Sequence, residues 1–333
     1  MTLEQYTQMK IETLLKHTNF SIRSNKQRGQ STTFFIDSTD GNPIYIIKFF
    51  DYLKGLNISS SHVSSSSDLE HLFELLEEDD TTEYSVDELI NVITMVQRCF
   101  DRYIRVTTMD ELDCFPQVFE YESLIKLNSS YYGCLIEAFV PGQTLEEVIR
   151  NPETNVSPTS IYDFIFQMAT IIKKLQFQEI VHRDISPDNI MYHNDQYILI
   201  DPGVVKIEGI GHETRTGMMI GKFFYCSPEQ AHGNSKTCDF TSDLYAVGII
   251  ALEMALGENY LEKYYREGYP YYHTTLLQRF EREIEDKFFT DLPENPFTIS
   301  LFTILKKLIQ IEKHFRFDSV DTLLELLKSI KEE

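Results

Sequence analysis

The spacing of apolar and polar positions changes several times along this chain of 333 residues, and each change predicts an element. Leu3, Tyr6, Met9, Ile11 and Leu14-Leu15 recur at helical spacing and predict a first helix over residues 3–16. Strand-like runs follow: Thr33 to Ile36, a turn at Asp40-Gly41-Asn42-Pro43, then Ile44 to Phe50, which carries one charge, Lys48. Residues 57–67 are Ser-rich, and 68–83 are acidic with Leu69, Leu72-Phe73 and Leu75-Leu76 among them. Ser67 and Glu70 have capping-box spacing, consistent with a short acidic helix after a linker, but the composition favours a solvated, partly disordered insertion. Ser85 and Glu88 form a second capping box ahead of a clear 3.6 period: Leu89, Val92-Ile93, Val96, Phe100 and Tyr103-Ile104. Strands begin at Phe115 and Tyr131, Phe139 to Gly142 connects, and Thr144 with Glu147 caps a short helix.

From Ser157 the pattern is mainly helical. Ile161, Phe164-Ile165, Met168, Ile171-Ile172 and Leu175 form one inward stripe. Ser242 to Ile250 is almost wholly apolar and reads as a buried helix, and further stripes run from Leu301 to Leu308 and from Val320 to Ile330. Between these helices lies Ile180-Val181-His182-Arg183-Asp184-Ile185-Ser186-Pro187-Asp188-Asn189, then a short apolar strand, Tyr197 to Ile200, leading into Asp201-Pro202-Gly203. Two carboxylates and one amide thus sit on loops beside strands. Phosphoryl transfer needs such a set: one carboxylate to orient a hydroxyl, and an amide plus a second carboxylate to hold Mg²⁺. A lysine in an apolar strand is more often an edge or snorkelling residue, but with this set downstream Lys48 reads as the partner of ATP phosphates.

Composition narrows the choice. The apolar share of 42% suits a globular chain, and the length suits two lobes or domains. A net charge of −22 argues against nucleic acid and anionic membrane as main partners. Five scattered cysteines fit reduced thiols, neither a disulfide framework nor a zinc site. Met1 to Gln5 lacks a signal pattern, and the longest apolar run, Ala246 to Leu256, is interrupted by Glu253 and too short to span a bilayer. The expectation is a cytoplasmic protein.

With these motifs in place, the chain resembles the eukaryotic-like serine/threonine protein kinases of bacterial type, over roughly residues 20–330 and most closely from Ile180 to Gly248. The resemblance implies an α+β, bilobal fold. A small β-rich N-lobe with one long helix would span residues 1–139, with an insertion at about 57–84. A larger, mainly helical C-lobe would span 140–333, with a catalytic loop at 182–189 and an activation segment at 201–229. It implies Lys48 on the α- and β-phosphates, Asp184 on the acceptor hydroxyl, and Asn189 and Asp201 as Mg²⁺ ligands. Glu137-Ala138-Phe139 resembles the hinge that meets adenine, Ile136 takes the gatekeeper place, Ile46 stands where a small Ala is usual, and Met191 lies beneath the base. Ser227-Pro228-Glu229 closes the activation segment. Arg316 is placed to pair with Glu229, and Asp243 to hydrogen-bond the backbone of the loop holding His182 and Arg183. Arg183 before Asp184 suggests control by a loop phosphate, with Thr214 or Thr216 as the autophosphorylated residue and a homodimer as the assembly for reaction in trans.

Four departures stand out. Only Gly29 remains of the glycine-rich loop, with the hydroxyls of Ser31, Thr32 and Thr33 as substitute phosphate donors. Tyr103 occupies the place of the helix Glu that should pair with Lys48. Glu88 is about four turns away and Asp101 is on another face, so either the insertion shifts the alignment or the pair is absent. Pro202 replaces the usual Phe, which argues against a flipping segment. Finally, Ser186 stands where a Lys is usual and Lys222 where a Thr is usual. The swap would return a positive charge to Asp184 through Lys222, while Ser186 supplies the hydroxyl. The leading reading is an ATP- and Mg²⁺-dependent kinase acting on protein Ser or Thr. The alternatives are a pseudokinase scaffold and a small-molecule phosphotransferase on the same fold.

Overall fold

In the computed structural model the described residues are 1–16, 19–24, 31–56, 58, 60–77, 85–127, 130–151, 153–154, 156–202, 224–231, 238–268, 272–279 and 283–332. Gly29, Thr214, Thr216 and Lys222 lie outside them. The chain divides into two compact units, one running from Met1 to Val140 and the other starting at Pro141.

The first unit is built on a five-stranded antiparallel sheet in the order β1-β2-β3-β5-β4. Its strands are β1 (Ser21–Ser24), β2 (Ser31–Asp37), β3 (Pro43–Asp51), β4 (Val118–Leu127) and β5 (Ser130–Ala138). Side chains alternate between faces along each strand, so register decides which residues meet. Ile47 pairs with Ile136 and Phe49 with Cys134, which puts them on one face. Helix α1 (Leu3–Leu15) covers that face, adding Tyr6 and Ile11 to a core of Phe34, Ile36, Ile47, Phe49, Tyr132 and Ile136. Thr2 caps α1 by a capping box with Gln5, and Lys10 ties the helix to Glu120 of β4 at 2.6 Å.

The opposite face carries Ile46, Lys48 and Phe50, paired with Glu137, Leu135 and Gly133. Helix α4 (Val86–Thr107) belongs to this side. Ser85 and Glu88 form the expected capping box, and the ring of Phe50 packs edge-on to Phe100 and Tyr103. The approach is close because Gly133 has no side chain: a Cβ there would lie 2.8 Å from the Phe100 ring and 2.5 Å from the Tyr52 hydroxyl.

The stretch expected to be a partly disordered insertion carries two helices among its described residues. It forms α2 (Ser60–Ser65) and α3 (Leu69–Glu77). Val63, Leu72 and Leu76 are buried, and α3 packs on α4. The Tyr131 hydroxyl donates to the Asp68 carbonyl at 2.8 Å and meets Ser66 Oγ at 2.8 Å, so β5 anchors the segment. Composition suggested solvation, but the leucines recur at helical spacing and bury one stripe. The expected Ser67–Glu70 cap is also corrected: Asp68 Oδ1 accepts from the His71 N–H at 2.8 Å instead.

The second unit is mainly helical. A small sheet, β6 (Gln143–Thr144), β7 (Ile190–His193) and β8 (Gln196–Leu199), carries Met191 on its middle strand. Its β7–β8 turn, Asn194-Asp195, has φ of 48° and 58°, the left-handed pair that a two-residue hairpin favours. Thr144 and Glu147 cap α5 (Leu145–Arg150) as expected, and Ser157 caps α6 (Pro158–Phe177). The helix Phe240–Leu256 is buried along nearly its whole length and packs on α6. Among the described residues no helix is long and apolar enough to cross a membrane.

Gly133→Ala should destabilise the protein by about 1–3 kcal/mol, because the added methyl overpacks the contact between α4 and β5. Urea unfolding of the two proteins measures the difference.

Candidate active site

The site residues fall into two groups, one in each unit. In the first, Lys48 projects from β3 and is largely buried. It is opposite Leu135, so Glu137 is its diagonal neighbour on β5, at a separation two long side chains can bridge. Lys48 Nζ lies 2.7 Å from Glu137 Oε1. The Tyr103 hydroxyl completes a triangle: it accepts from Lys48 Nζ at 3.1 Å and donates to Glu137 Oε2 at 3.1 Å. Glu137 is 1% exposed, and a carboxylate so buried is stable only when paired and hydrogen-bonded. An acidic partner of Lys48 is therefore on the sheet.

This register corrects the expected gatekeeper. Ile136 faces the apolar core under α1, while Glu137 shares the face of Ile46 and Lys48. The Glu137 side chain is engaged with Lys48. Phe139 extends the strand pairing: its N–H donates to the Ile44 carbonyl at 3.1 Å, and its ring meets Phe35 edge-on. Ser31, Thr32 and Thr33 are half-buried on β2, and Thr33 pairs with Lys48.

In the second unit the loop from His182 to Asn189 is held from several sides. Asp243 is buried, and its two oxygens accept the N–H groups of His182 and Arg183 at 2.9 Å each. Burial pushes its carboxyl above the usual range, opposed by these donors and by the charge of Arg183. Arg183 adopts φ of 63°, a left-handed conformation that a non-glycine residue keeps only when its surroundings over-determine it. The Asp243 bonds and the Gln230 side chain, which donates to the Arg183 carbonyl at 3.0 Å, supply that constraint. His182 Nδ1 accepts from the Asp184 N–H at 3.2 Å. Its Nε2 lies 2.6 Å from the Asp201 carbonyl, which can only accept, so the proton sits on Nε2. One imidazole thus ties the Asp184 backbone to the Asp201 backbone.

Asn189 Nδ2 donates to the Asp184 carbonyl at 3.1 Å, which leaves Oδ1 as the atom to offer a cation. Asn189 and Asp201 provide an amide and a carboxylate oxygen, hard donors of the kind Mg²⁺ takes alongside phosphate oxygens. The Ser186 hydroxyl has one proton and gives it to Asp188 Oδ1 at 2.6 Å. It is not offered to Asp184, as the exchange of residue types had suggested.

Glu229 and Arg316 meet as the sequence suggested. Arg316 NH1 and NH2 lie 2.8 and 2.9 Å from the two carboxylate oxygens, and the guanidinium also donates to the carbonyls of Thr241, Gln310 and Ile311. Ser242 Oγ donates to Glu229 at 2.6 Å. Burial pushes the Glu229 carboxyl up, but Arg316 and Ser242 outweigh it and bring the pKa down to about 2.

Two participants escaped the sequence reading: Glu137 as partner of Lys48, and Gln230 as a brace of the loop. A signal for the first was present. Lys48 is the single basic residue of β3 and Glu137 the single charge of β5, both in largely apolar runs.

The folded-state pKa of Glu229 lies below its ordinary 4.5, so its contribution to stability is full above pH 4.5 and falls as pH drops towards about 2. The stability gap between wild type and Glu229→Gln should therefore narrow across that window. Urea midpoints at pH 7, 4 and 3.5 test this, and a gap independent of pH would contradict it.

Comparison with known proteins agrees with this geometry. The protein kinase domain family matches residues 97–325, more than half of the chain. A probable serine/threonine-protein kinase of Clostridium acetobutylicum is 28% identical over 202 residues, covering 59% of this chain and 28% of that protein. The serine/threonine-protein kinase PknA of Corynebacterium glutamicum is 32% identical over 124 residues, covering 37% and 26%. The tyrosine-protein kinase MasK of Myxococcus xanthus is 31% identical over 155 residues, covering 46% and 22%. The chain spans about a quarter of the length of these curated relatives. The family match, the bilobal α+β fold and the loop around Asp184 together make this chain a member of the protein kinase domain family.

Proposed function

We propose that the chain is an ATP- and Mg²⁺-dependent serine/threonine protein kinase. The observation that carries the reading is the braced loop, in which Asn189 Nδ2 bonds the Asp184 carbonyl and Asp243 fixes the two residues before Asp184. Asp184 is 8% exposed and sits on a backbone with little freedom, as a group that must orient a hydroxyl requires. In the proposed reaction the acceptor oxygen attacks the γ-phosphorus as its proton passes towards Asp184, and the bond to the β-phosphate oxygen breaks to release ADP. Lys48 pairs with the nucleotide phosphates, and Asn189 and Asp201 hold Mg²⁺. Bound Mg²⁺ would neutralise charge on the β- and γ-phosphates.

The acceptor is assigned as Ser or Thr because Ile185 to Asp188 lacks the Arg that tyrosine-directed kinases of the family it resembles place there. Glu229 and Arg316 complete the segment end that docks peptide, which favours a protein over a small-molecule acceptor. Thr214 or Thr216 is proposed as an autophosphorylation site, with reaction in trans between two copies, in a cytoplasmic setting.

Wild-type protein given labelled ATP and Mg²⁺ should label itself and a basic Ser/Thr substrate, and Asp184→Ala should lose that labelling. If wild type incorporates nothing and Mg·ATP leaves its melting temperature unmoved, the chain is a binding module and this reading fails.

Lys222→Met should lower kcat by about a hundredfold or more if Lys222 supplies the positive charge that a Lys in place of Ser186 would give. Normal turnover in that variant would remove Lys222 from the mechanism.

A further inference from the structure

Protein kinases of the type this chain resembles take the acidic partner of the strand lysine from the helix. Here Tyr103 is at that place, and the structure shows where the charge has gone. Lys48 Nζ lies 2.7 Å from Glu137 Oε1, and the Tyr103 hydroxyl bridges both groups at 3.1 Å. We infer that Glu137 is the positioning residue that aims Lys48 at the nucleotide phosphates, with Tyr103 as its brace. The inference rests on the kinase reading and deepens it.

Three features carry it. First, an acid on neighbouring β5 is set by sheet register, so the pair forms when the sheet forms. Second, the triangle uses polar atoms at every corner. Lysine and glutamate neutralise each other, and the phenol both accepts from one and donates to the other. A hydroxyl from the helix thereby does what its missing carboxylate could not do alone. Third, α4 is pinned. Phe100 lies against Gly133, and α3 packs on the helix. Tyr103 is 1% exposed, with its ring edge-on to Phe50. Its hydroxyl is delivered to a fixed place.

A filler role is the competing account: Glu137 would only satisfy a lysine stranded in a buried strand. The two accounts separate in kinetics. Glu137→Leu replaces the carboxylate with apolar atoms, and Glu137→Gln keeps hydrogen-bonding atoms but removes the charge. If Glu137 positions Lys48, both variants lose kcat/KM for Mg·ATP by about tenfold to a hundredfold, with kcat and KM both affected. The double variant Glu137→Leu with Tyr103→Glu returns the carboxylate to the helix and should recover several-fold over Glu137→Leu. Melting temperatures show which variants are folded, and if Glu137→Leu is not, Glu137→Gln alone decides.

Wild-type kcat/KM in folded Glu137→Gln would overturn the inference while leaving the kinase reading intact. A folded double variant no better than Glu137→Leu would overturn it as well. A wild type with neither labelling activity nor a Mg·ATP-induced melting shift would overturn the kinase reading and this inference together.

Discussion

The second unit depends on one buried carboxylate. Asp243 directs both oxygens at the backbone of His182 and Arg183, and the loop cannot take its shape without them. Two consecutive N–H groups turned inward would otherwise be unsatisfied in a dry interior, each at a penalty of about 1–3 kcal/mol. The left-handed turn at Arg183 is the other side of the same constraint. The helix bearing Asp243 is buried nearly throughout, so the acceptor is as immobile as the core itself. Through His182 the constraint reaches the backbones of Asp184 and Asp201.

The same rule recurs with different partners. Glu229 is stabilised by a guanidinium that is itself anchored to three carbonyls, and its pKa falls despite burial. Glu137 is stabilised by an ammonium and a phenol. In each case the carboxylate is largely shielded from water and has donors on both oxygens. An isolated buried charge would be intolerable, so each of these residues predicts its own partner. These pairings are specific because the partners come from distant positions: Lys48 with Glu137, and Glu229 with Arg316.

The segment between β3 and α4 shows how composition can mislead. Serines and acids dominate it, yet Leu72 and Leu76 are buried and Asp68 caps α3. A few leucines at helical spacing are enough to dock a short helix when a neighbouring surface is available, here α4 and the β5 residue Tyr131. Once docked, the segment adds to the support of the helix that carries Tyr103.

What the sequence determined by itself was local or short in range. Capping boxes at Ser85 and Thr144, the apolar stripe of α6, and the spacing of Asp184, Asn189 and Asp201 are written in neighbouring residues, because helical period and loop chemistry act over a few positions. The pairing of Glu229 with Arg316 was also legible, through resemblance to a family that repeats it. Tertiary structure decided the rest. Which face of β5 bears Glu137 depends on a register that a shift of one residue would invert, and the pattern of a fully buried strand does not reveal it. The order of α3 depended on a surface more than fifty residues away in the chain. These are choices made by packing between distant segments, so no local pattern could have announced them.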